Sequence, residues 1–214
     1  MLKKIFKKLT SLNFNLLHKK LRWSNYLPNT LFDGDDKLFK QVVTGARVYA
    51  EYGCGKSTYW VLNNTLLDVI SVDTSADWVL KVLSKNKKNS KRLNIKHIDL
   101  GKVGDWGWPI DLNNHESLAH YTNFIWEQTN KPNVILIDGR FRVCCFLTCL
   151  KFGKEGTSII FDDYTNRPNY HVVEKYVSRE NHYGRQCLFV VPSKAKIDFE
   201  ALEKDIDAYR LIMD

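Results

Sequence analysis

The sequence predicts an α/β fold: a mainly parallel β-sheet with helices on both faces, preceded by an N-terminal helical arm. Three observations carry this. From about residue 36 to the end, strand-like runs alternate with helical patterns, which is the signature of βαβ units. The strand runs, such as Leu67-Asp68-Val69-Ile70-Ser71-Val72-Asp73 and Asn133-Val134-Ile135-Leu136-Ile137-Asp138, are apolar almost throughout, as strands buried on both faces must be. Four successive strands end in acids, at Asp73, Asp99, Asp138 and Asp162-Asp163. In open parallel sheets the carboxyl ends of the strands are where ligands bind.

The arm comes first. Residues 1–22 contain Lys3, Lys4, Lys7, Lys8, Lys19, Lys20 and Arg22 and no acid, so seven of the chain's eight net positive charges belong to them. Leu2, Ile5, Phe6, Leu9, Leu16, Leu17 and Leu21 recur at helical spacing. Such a basic amphipathic helix suits a membrane surface, its apolar face in the acyl region and its lysines on anionic head groups. The same pattern suits a helix packed on the domain with a solvated basic face. The expected organisation is an arm over residues 1–32 and one domain over 33–214. The domain itself is nearly neutral, which argues against nucleic acid as its partner.

Leu27-Pro28-Asn29 breaks the arm, and Asp33 is a candidate N-cap for a helix over 36–44 ahead of Gly45. The first strand, about 47–52, runs into a glycine turn and a helix over 57–63. The second strand is 67–73, followed by a helix over 77–85 and a basic run, 85–92, that reads as its exposed end plus a loop. A third strand is expected over 95–100 and a helix over 115–128. The fourth strand is 133–138, with an apolar helix over 141–152. The fifth strand is 157–163, with a short helix over 170–177. A sixth strand, 186–191, and a last helix, 199–211, complete the chain. Cys144, Cys145 and Cys149 lie in one apolar helical stretch and read as reduced core thiols, no C-x-x-C pair suggests zinc, and no secretory apolar region is evident. A cytoplasmic location follows as the expectation, peripheral at a membrane if the arm binds one.

The turn Glu51-Tyr52-Gly53-Cys54-Gly55-Lys56-Ser57-Thr58 is a nucleotide-binding element, because glycines admit a ligand close to the backbone and a helix N-terminus offers N–H groups. Three patterns compete for it. A P-loop fits at Gly55-Lys56-Ser57, but Ala50 stands where its first glycine belongs. A dinucleotide fingerprint fits at Gly53 and Gly55, but Thr58 replaces the third glycine. The E-x-G-x-G loop of S-adenosylmethionine-binding enzymes fits Glu51, Gly53 and Gly55 without departure. Asp73, twenty residues after Gly53, is placed to accept hydrogen bonds from ribose hydroxyls.

With these segments, together with Trp106-Gly107-Trp108-Pro109, Ile137-Asp138-Gly139-Arg140-Phe141-Arg142-Val143 and Phe161-Asp162-Asp163-Tyr164 with Arg167 and Tyr170, the chain resembles the class I S-adenosylmethionine-dependent methyltransferases. More narrowly, it resembles a bacterial-type family, largely without assigned function, that carries the D-G-R-F-R-V run. The resemblance spans about residues 36–192 and implies the Rossmann-like methyltransferase fold. It implies a cofactor site in which Gly53 and Gly55 pass beneath the methionine part and Ser57 with the helix N-terminus holds its carboxylate. Asp73 would bind the ribose and Asp99 would flank the adenine. Glu51 would meet the amino group or organise the loop.

Methyl transfer to a hydroxyl requires alignment and removal of a proton. Asp138, Asp162, Asp163, His171 and Tyr170 are the candidates for that, and Arg140 joins the catalytic set as a charge beside the acids. Asp138, Asp162 and Asp163 also resemble the cation ligands of catechol-type O-methyltransferases, which would admit Mg²⁺. Those enzymes carry a lysine base shortly after the first acid, whereas here Arg140 and Arg142 follow, and arginine is too strongly protonated to act as one. Arg142 and Arg167, with Tyr170 and Trp106, are candidates for binding an anionic acceptor, or the arginines neutralise the acids. The expected function is methylation of a small-molecule or glycan-like hydroxyl. The alternatives are a P-loop-type ATP-binding enzyme and a catalytically silent methyltransferase-like module.

Overall fold

A computed structural model describes residues 30–32, 36–105, 108–110 and 115–213. The basic arm, the proposed cap at Asp33 and the Trp106-Gly107 pair lie outside the described residues. The chain divides into two compact units, Met1–Asp36 and Lys37–Asp214. In the first, the Asp36 carboxylate accepts the amides of Leu31 (2.8 Å) and Phe32 (3.2 Å), closing a short turn.

The second unit is a seven-stranded sheet. Its strands are β1 (Val48–Tyr52), β2 (Asp68–Asp73), β3 (Leu93–His97), β4 (Val134–Ile137), β5 (Ser158–Phe161), β6 (Asn181–Tyr183) and β7 (Gln186–Val190). They lie in the order β3-β2-β1-β4-β5-β7-β6. The first five pair in parallel, and β7 joins antiparallel to β5 and to β6. The order reverses beside β1, which places the glycine turn at the topological switch point where such sheets bind ligands. The α-helices are α1 (Lys37–Thr44), α2 (Lys56–Asn64), α3 (Ala76–Lys85), α4 (Leu118–Glu127), α5 (Arg142–Phe152) and α6 (Phe199–Tyr209).

Successive β1 side chains face opposite layers, as the two-residue period of a strand requires. Tyr49 meets Phe39 of α1 edge-on at 5.9 Å. Tyr52 turns the other way, donating its hydroxyl to the Thr122 carbonyl of α4 and accepting the Trp126 indole N–H at 3.1 Å. Helix α5 buries nine of its eleven residues, so its apolar residues run all the way round. Its outer side meets α6, where the Cys144 thiol approaches the Ile206 carbonyl at 3.7 Å. All five cysteines are buried and unpaired by disulfide.

The structure departs from the sequence expectation in four places. The third strand is Leu93–His97 rather than 95–100, so it ends two residues before Asp99. The basic run 87–92 forms a 3₁₀ helix, because Arg92 reaches back to the carbonyls of Leu62 and Leu67. The expected helix over 170–177 is a 3₁₀ helix over Pro168–Lys175. The strand β6 is additional and forms a hairpin with β7 around Gly184, whose φ is +57°.

Candidate functional site

The carboxyl ends of β1, β2, β4 and β5 and the start of antiparallel β7 share one edge of the sheet. Three groups of side chains gather there.

The first is the glycine turn after β1. Gly53 has φ +92°, a conformation that favours glycine. A Cβ on Gly53 would stand 2.7 Å from the Gly139 amide nitrogen, so the turns after β1 and β4 cross in backbone contact. Behind the turn, Glu51 is fully buried. Its carboxylate accepts the hydroxyls of Tyr49 (2.8 Å), Ser57 (2.7 Å), Ser71 (2.9 Å) and Thr58. Glu51 and Ser71 are also direct partners across β1 and β2. One acid thus ties two strands to the first turn of α2. Burial pushes its carboxyl above the ordinary glutamate range, against the pull of these hydroxyls. Glu51 thus sits behind the loop, with its carboxylate turned to these four hydroxyls. The Ser57 hydroxyl proton is likewise committed to Glu51.

The second group is at β2. The Asp73 carboxylate accepts the Cys54 amide at 2.8 Å on one oxygen and the Ser75 amide at 2.7 Å on the other. It clamps the glycine turn to the start of α3, where Ser75 caps the helix and the rim of the Trp78 ring lies 3.8 Å from a Cβ built on Gly55. Burial raises the Asp73 carboxyl above its usual range, and the two amides oppose that. The Cys54 thiol is a third hydrogen-bonding neighbour, and a carboxylate has about four acceptor positions, so one remains for a ligand's hydroxyl. Asp99 does not join this group through the end of a strand. It is exposed in the loop after β3, and its carboxylate accepts the Gly101 amide at 2.9 Å.

The third group lies at the ends of β4 and β5. Carboxylate oxygens of Asp138, Asp162 and Asp163 fall within 4.8 Å of one another. Arg142, 3% exposed, sits among them. Its Nη2 lies 3.2 Å from Asp138 Oδ1 and 3.4 Å from Asp163 Oδ2. Its Nη1 donates to the Asp162 carbonyl at 2.7 Å and its Nε to the Gly139 carbonyl at 3.0 Å. Burial opposes its charge, but the three acids prevail and hold the guanidinium more firmly protonated than usual. Asp163 also pairs with Arg167 (2.9 Å) and Arg185 (2.8 Å), and the Gln186 amide donates to Asp162 at 3.0 Å. Burial first, then mutual repulsion, raises the carboxyls of Asp138 and Asp162. The Asp138 side chain is 35% exposed, so solvent moderates the effect there.

This corrects two expectations. Arg142 is not available to an acceptor, because every guanidinium nitrogen is directed into the acid cluster and its backbone. The three acids do not fit Mg²⁺ as they stand, since a guanidinium already fills the space between Asp138 and Asp163.

The other candidates are more dispersed. The Arg140 guanidinium stacks over the Trp108 ring at 5.2 Å, its amide donates to the Tyr121 hydroxyl at 3.3 Å, and Asp73 and Asp138 are among its electrostatic neighbours. It therefore stands between the second and third groups. Tyr170 is fully buried against Phe161, and its hydroxyl accepts from Arg167 at 2.9 Å. His171 stacks on Tyr164 with ring centroids 4.9 Å apart, and its Nε2 lies 3.2 Å from the Tyr164 carbonyl. A carbonyl can only accept, so that nitrogen carries the proton and is not a base. Trp106 is outside the described residues.

Sequence reasoning missed Arg185, Gln186, Gly139, Tyr121 and Trp78. Arg185 and Gln186 precede an apolar run, but only an antiparallel β7 brings its beginning to the edge where the parallel strands end. Gly139 was visible within the D-G-R-F-R-V run, though its contact with Gly53 needs the crossing of two turns.

No protein-family model matches the chain, and no curated protein sequence matches it. Solved structures do. A methyltransferase-like protein from Silicibacter pomeroyi is 27% identical, with 86% of this chain and 97% of that chain covered and a TM-score of 0.76. An O-methyltransferase from Bacillus cereus, in complex with S-adenosylhomocysteine, is 17% identical over 83% of this chain and 89% of its own, with a TM-score of 0.51. TomG, an O-methyltransferase from Streptomyces achromogenes in complex with S-adenosylmethionine, is 10% identical over 80% and 85%, again with a TM-score of 0.51. The fold is thus the Rossmann-like α/β fold of methyltransferases.

Proposed function

We propose that the chain is an S-adenosylmethionine-dependent methyltransferase acting on a hydroxyl of a small-molecule or glycan-like acceptor. The observation that carries the cofactor assignment is the Asp73 carboxylate, which pins the Cys54 amide of the glycine turn and keeps acceptor capacity for a ribose. The likeness to the Silicibacter pomeroyi methyltransferase-like protein, over nearly the whole of both chains, supports it.

When bound, S-adenosylmethionine supplies an electrophilic methyl group. In this reading Gly53, in its left-handed turn against Gly139, sets the path of the loop, and the methionine part passes close to the backbone at Gly55. The start of α2, fixed by Glu51, presents its amides to the carboxylate. Asp73 binds a ribose hydroxyl. Asp138 accepts the acceptor's proton, because its side chain is 35% exposed whereas that of Asp163 is 9% exposed. Asp162 and Asp163 hold the edge together through Gln186 and three arginines. Arg140 and Trp108 form the wall that an acceptor would meet, stacking a ring or pairing an anion.

Calorimetric titration with S-adenosylhomocysteine tests the cofactor step, and transfer of labelled methyl to a panel of hydroxylated small molecules and sugars tests the acceptor. Binding that is lost in Gly53→Val is the expected result. Tight ATP–Mg²⁺ binding that depends on Lys56, with none of S-adenosylhomocysteine, would sink the reading.

A further inference from the structure

We infer that Arg142 is a built-in cation: its guanidinium holds the place that a divalent metal would take among Asp138, Asp162 and Asp163, and its removal turns the cluster into a metal site. The inference does not depend on which cofactor the glycine turn binds.

The argument begins with charge. Carboxylate oxygens of three acids lie within 4.8 Å of one another, and two of the acids are consecutive residues. Asp162 and Asp163 are almost wholly buried. Buried carboxylates at this spacing need a cation, or they take up protons and become neutral. The chain supplies Arg142 from the first turn of α5, four residues after Asp138 and across from Asp163.

The geometry has the character of a coordination shell. Three nitrogens of one planar group take five oxygens from two strand ends: the carbonyls of Asp138, Gly139 and Asp162 and a carboxylate oxygen each from Asp138 and Asp163. Carbonyl and carboxylate oxygens are the donors that hard divalent cations select. Backbone shape shows the same placement. Phe141, immediately before Arg142, has φ +55°, and Asp163 has φ +58°. These are the two non-glycine residues with left-handed backbone among the described residues: one precedes Arg142 and the other is its partner. Such conformations persist where surrounding contacts over-determine them.

The experiment uses the full chain. Wild type is titrated calorimetrically with MgCl₂, MnCl₂ and CaCl₂, with and without S-adenosylhomocysteine, and shows no saturable binding. Melting temperatures are then measured for Arg142→Ala and Arg142→Lys. Arg142→Ala melts below wild type in metal-free buffer and gains about 5–10 °C at a hundredfold excess of Ca²⁺ or Mn²⁺ over its Kd. Arg142→Lys, which keeps the charge, gains nothing. If Arg142→Ala is insoluble, it is refolded from denaturant with and without Ca²⁺ or Mn²⁺, and recovery only with the metal is the expected result. The inference is overturned by saturable metal binding to wild type that Asp162→Asn removes. It is equally overturned by an Arg142→Ala protein that neither gains stability nor recovers solubility with any of the three cations.

Discussion

Gly53 and Gly139 touch backbone to backbone: a Cβ on either residue would lie within 3 Å of the other's main chain. The turn under the proposed cofactor and the turn that leads into Arg142 are therefore one packing unit. Neither glycine can gain a methyl group without separating β1 from β4.

Gly139→Ala is accordingly expected to cost about 1–3 kcal/mol of stability, as overpacking does. It should also weaken S-adenosylhomocysteine by tenfold or more, although Gly139 belongs to a different strand end from the glycine turn. Gly53→Val should abolish binding, while Lys56→Ala, at an exposed position, leaves it within about threefold. Calorimetry on the three variants, with urea melts for stability, checks the order. Stronger loss at Lys56 than at Gly53 would return the turn to the phosphate-binding reading.

Asp73 separates a ligand contact from a structural one. Asp73→Asn keeps an acceptor for one of the two amides, Cys54 or Ser75, and sets its NH2 against the other, whereas Asp73→Ala keeps none. If the remaining acceptor position serves a ribose, both variants lose cofactor affinity by about 10–100-fold, since a hydrogen bond to a charged group is worth about 1.5–3 kcal/mol. Both should lower the melting temperature, Asp73→Ala more than Asp73→Asn, which keeps one of the two amide bonds. Equal affinity of Asp73→Asn and wild type would confine Asp73 to bracing the turn.

The pH dependence of Glu51 has a definite sign. Its carboxyl is raised above 4.5 by burial, so the folded chain holds the proton to higher pH than the unfolded chain does. Its contribution is present in full below the unfolded value and declines as pH rises through the folded one. Glu51→Gln cannot ionise. The difference in stability between wild type and Glu51→Gln should therefore move against wild type as pH rises from about 4.5 upward. Thermal melts between pH 4 and pH 8 measure it, and a difference that moves the other way would mean the hydroxyls around Glu51 outweigh its burial.

How far the sequence spoke depends on which physical cause fixed each feature. Apolar strands and the glycine turn were legible because burial on two faces and a left-handed turn restrict residue choice locally. The acids at the ends of β2, β4 and β5 were legible because parallel strands point the same way. The strand β6 was not, since Asn181-His182-Tyr183 is short, polar and exposed and exists only through pairing with β7. The end of β3 was misplaced because Ile98 and Leu100 are buried in the loop after the strand and so imitate its apolar run. Arginines carry no periodic signal at all. Whether Arg142 faces a ligand or an acid depends on the left-handed residue before it, which no local pattern announced.

Asp163 offers the sharpest test of the cluster, because it is held by three guanidiniums of very different exposure. Arg142 is buried, while the side chains of Arg185 and Arg167 are 30% and 40% exposed. Asp163→Ala removes one of the two carboxylates paired with buried Arg142 and leaves Asp138 in place, so it costs less than the roughly 3–5 kcal/mol of a fully stranded buried charge. It also places alanine at φ +58°, adding about 1–2 kcal/mol. Asp163→Asn isolates the charge, since asparagine tolerates that backbone and still accepts one hydrogen bond. Arg167→Ala removes a solvent-screened ion pair, about 0–1 kcal/mol, and the hydrogen bond to the Tyr170 hydroxyl, about 0.5–1.5 kcal/mol. Urea denaturation should thus rank the losses Asp163→Ala first, Asp163→Asn second and Arg167→Ala last. If Arg167→Ala proved as damaging as Asp163→Ala, the cluster would be anchored from its exposed rim, and Arg142 would not be the cation that holds it.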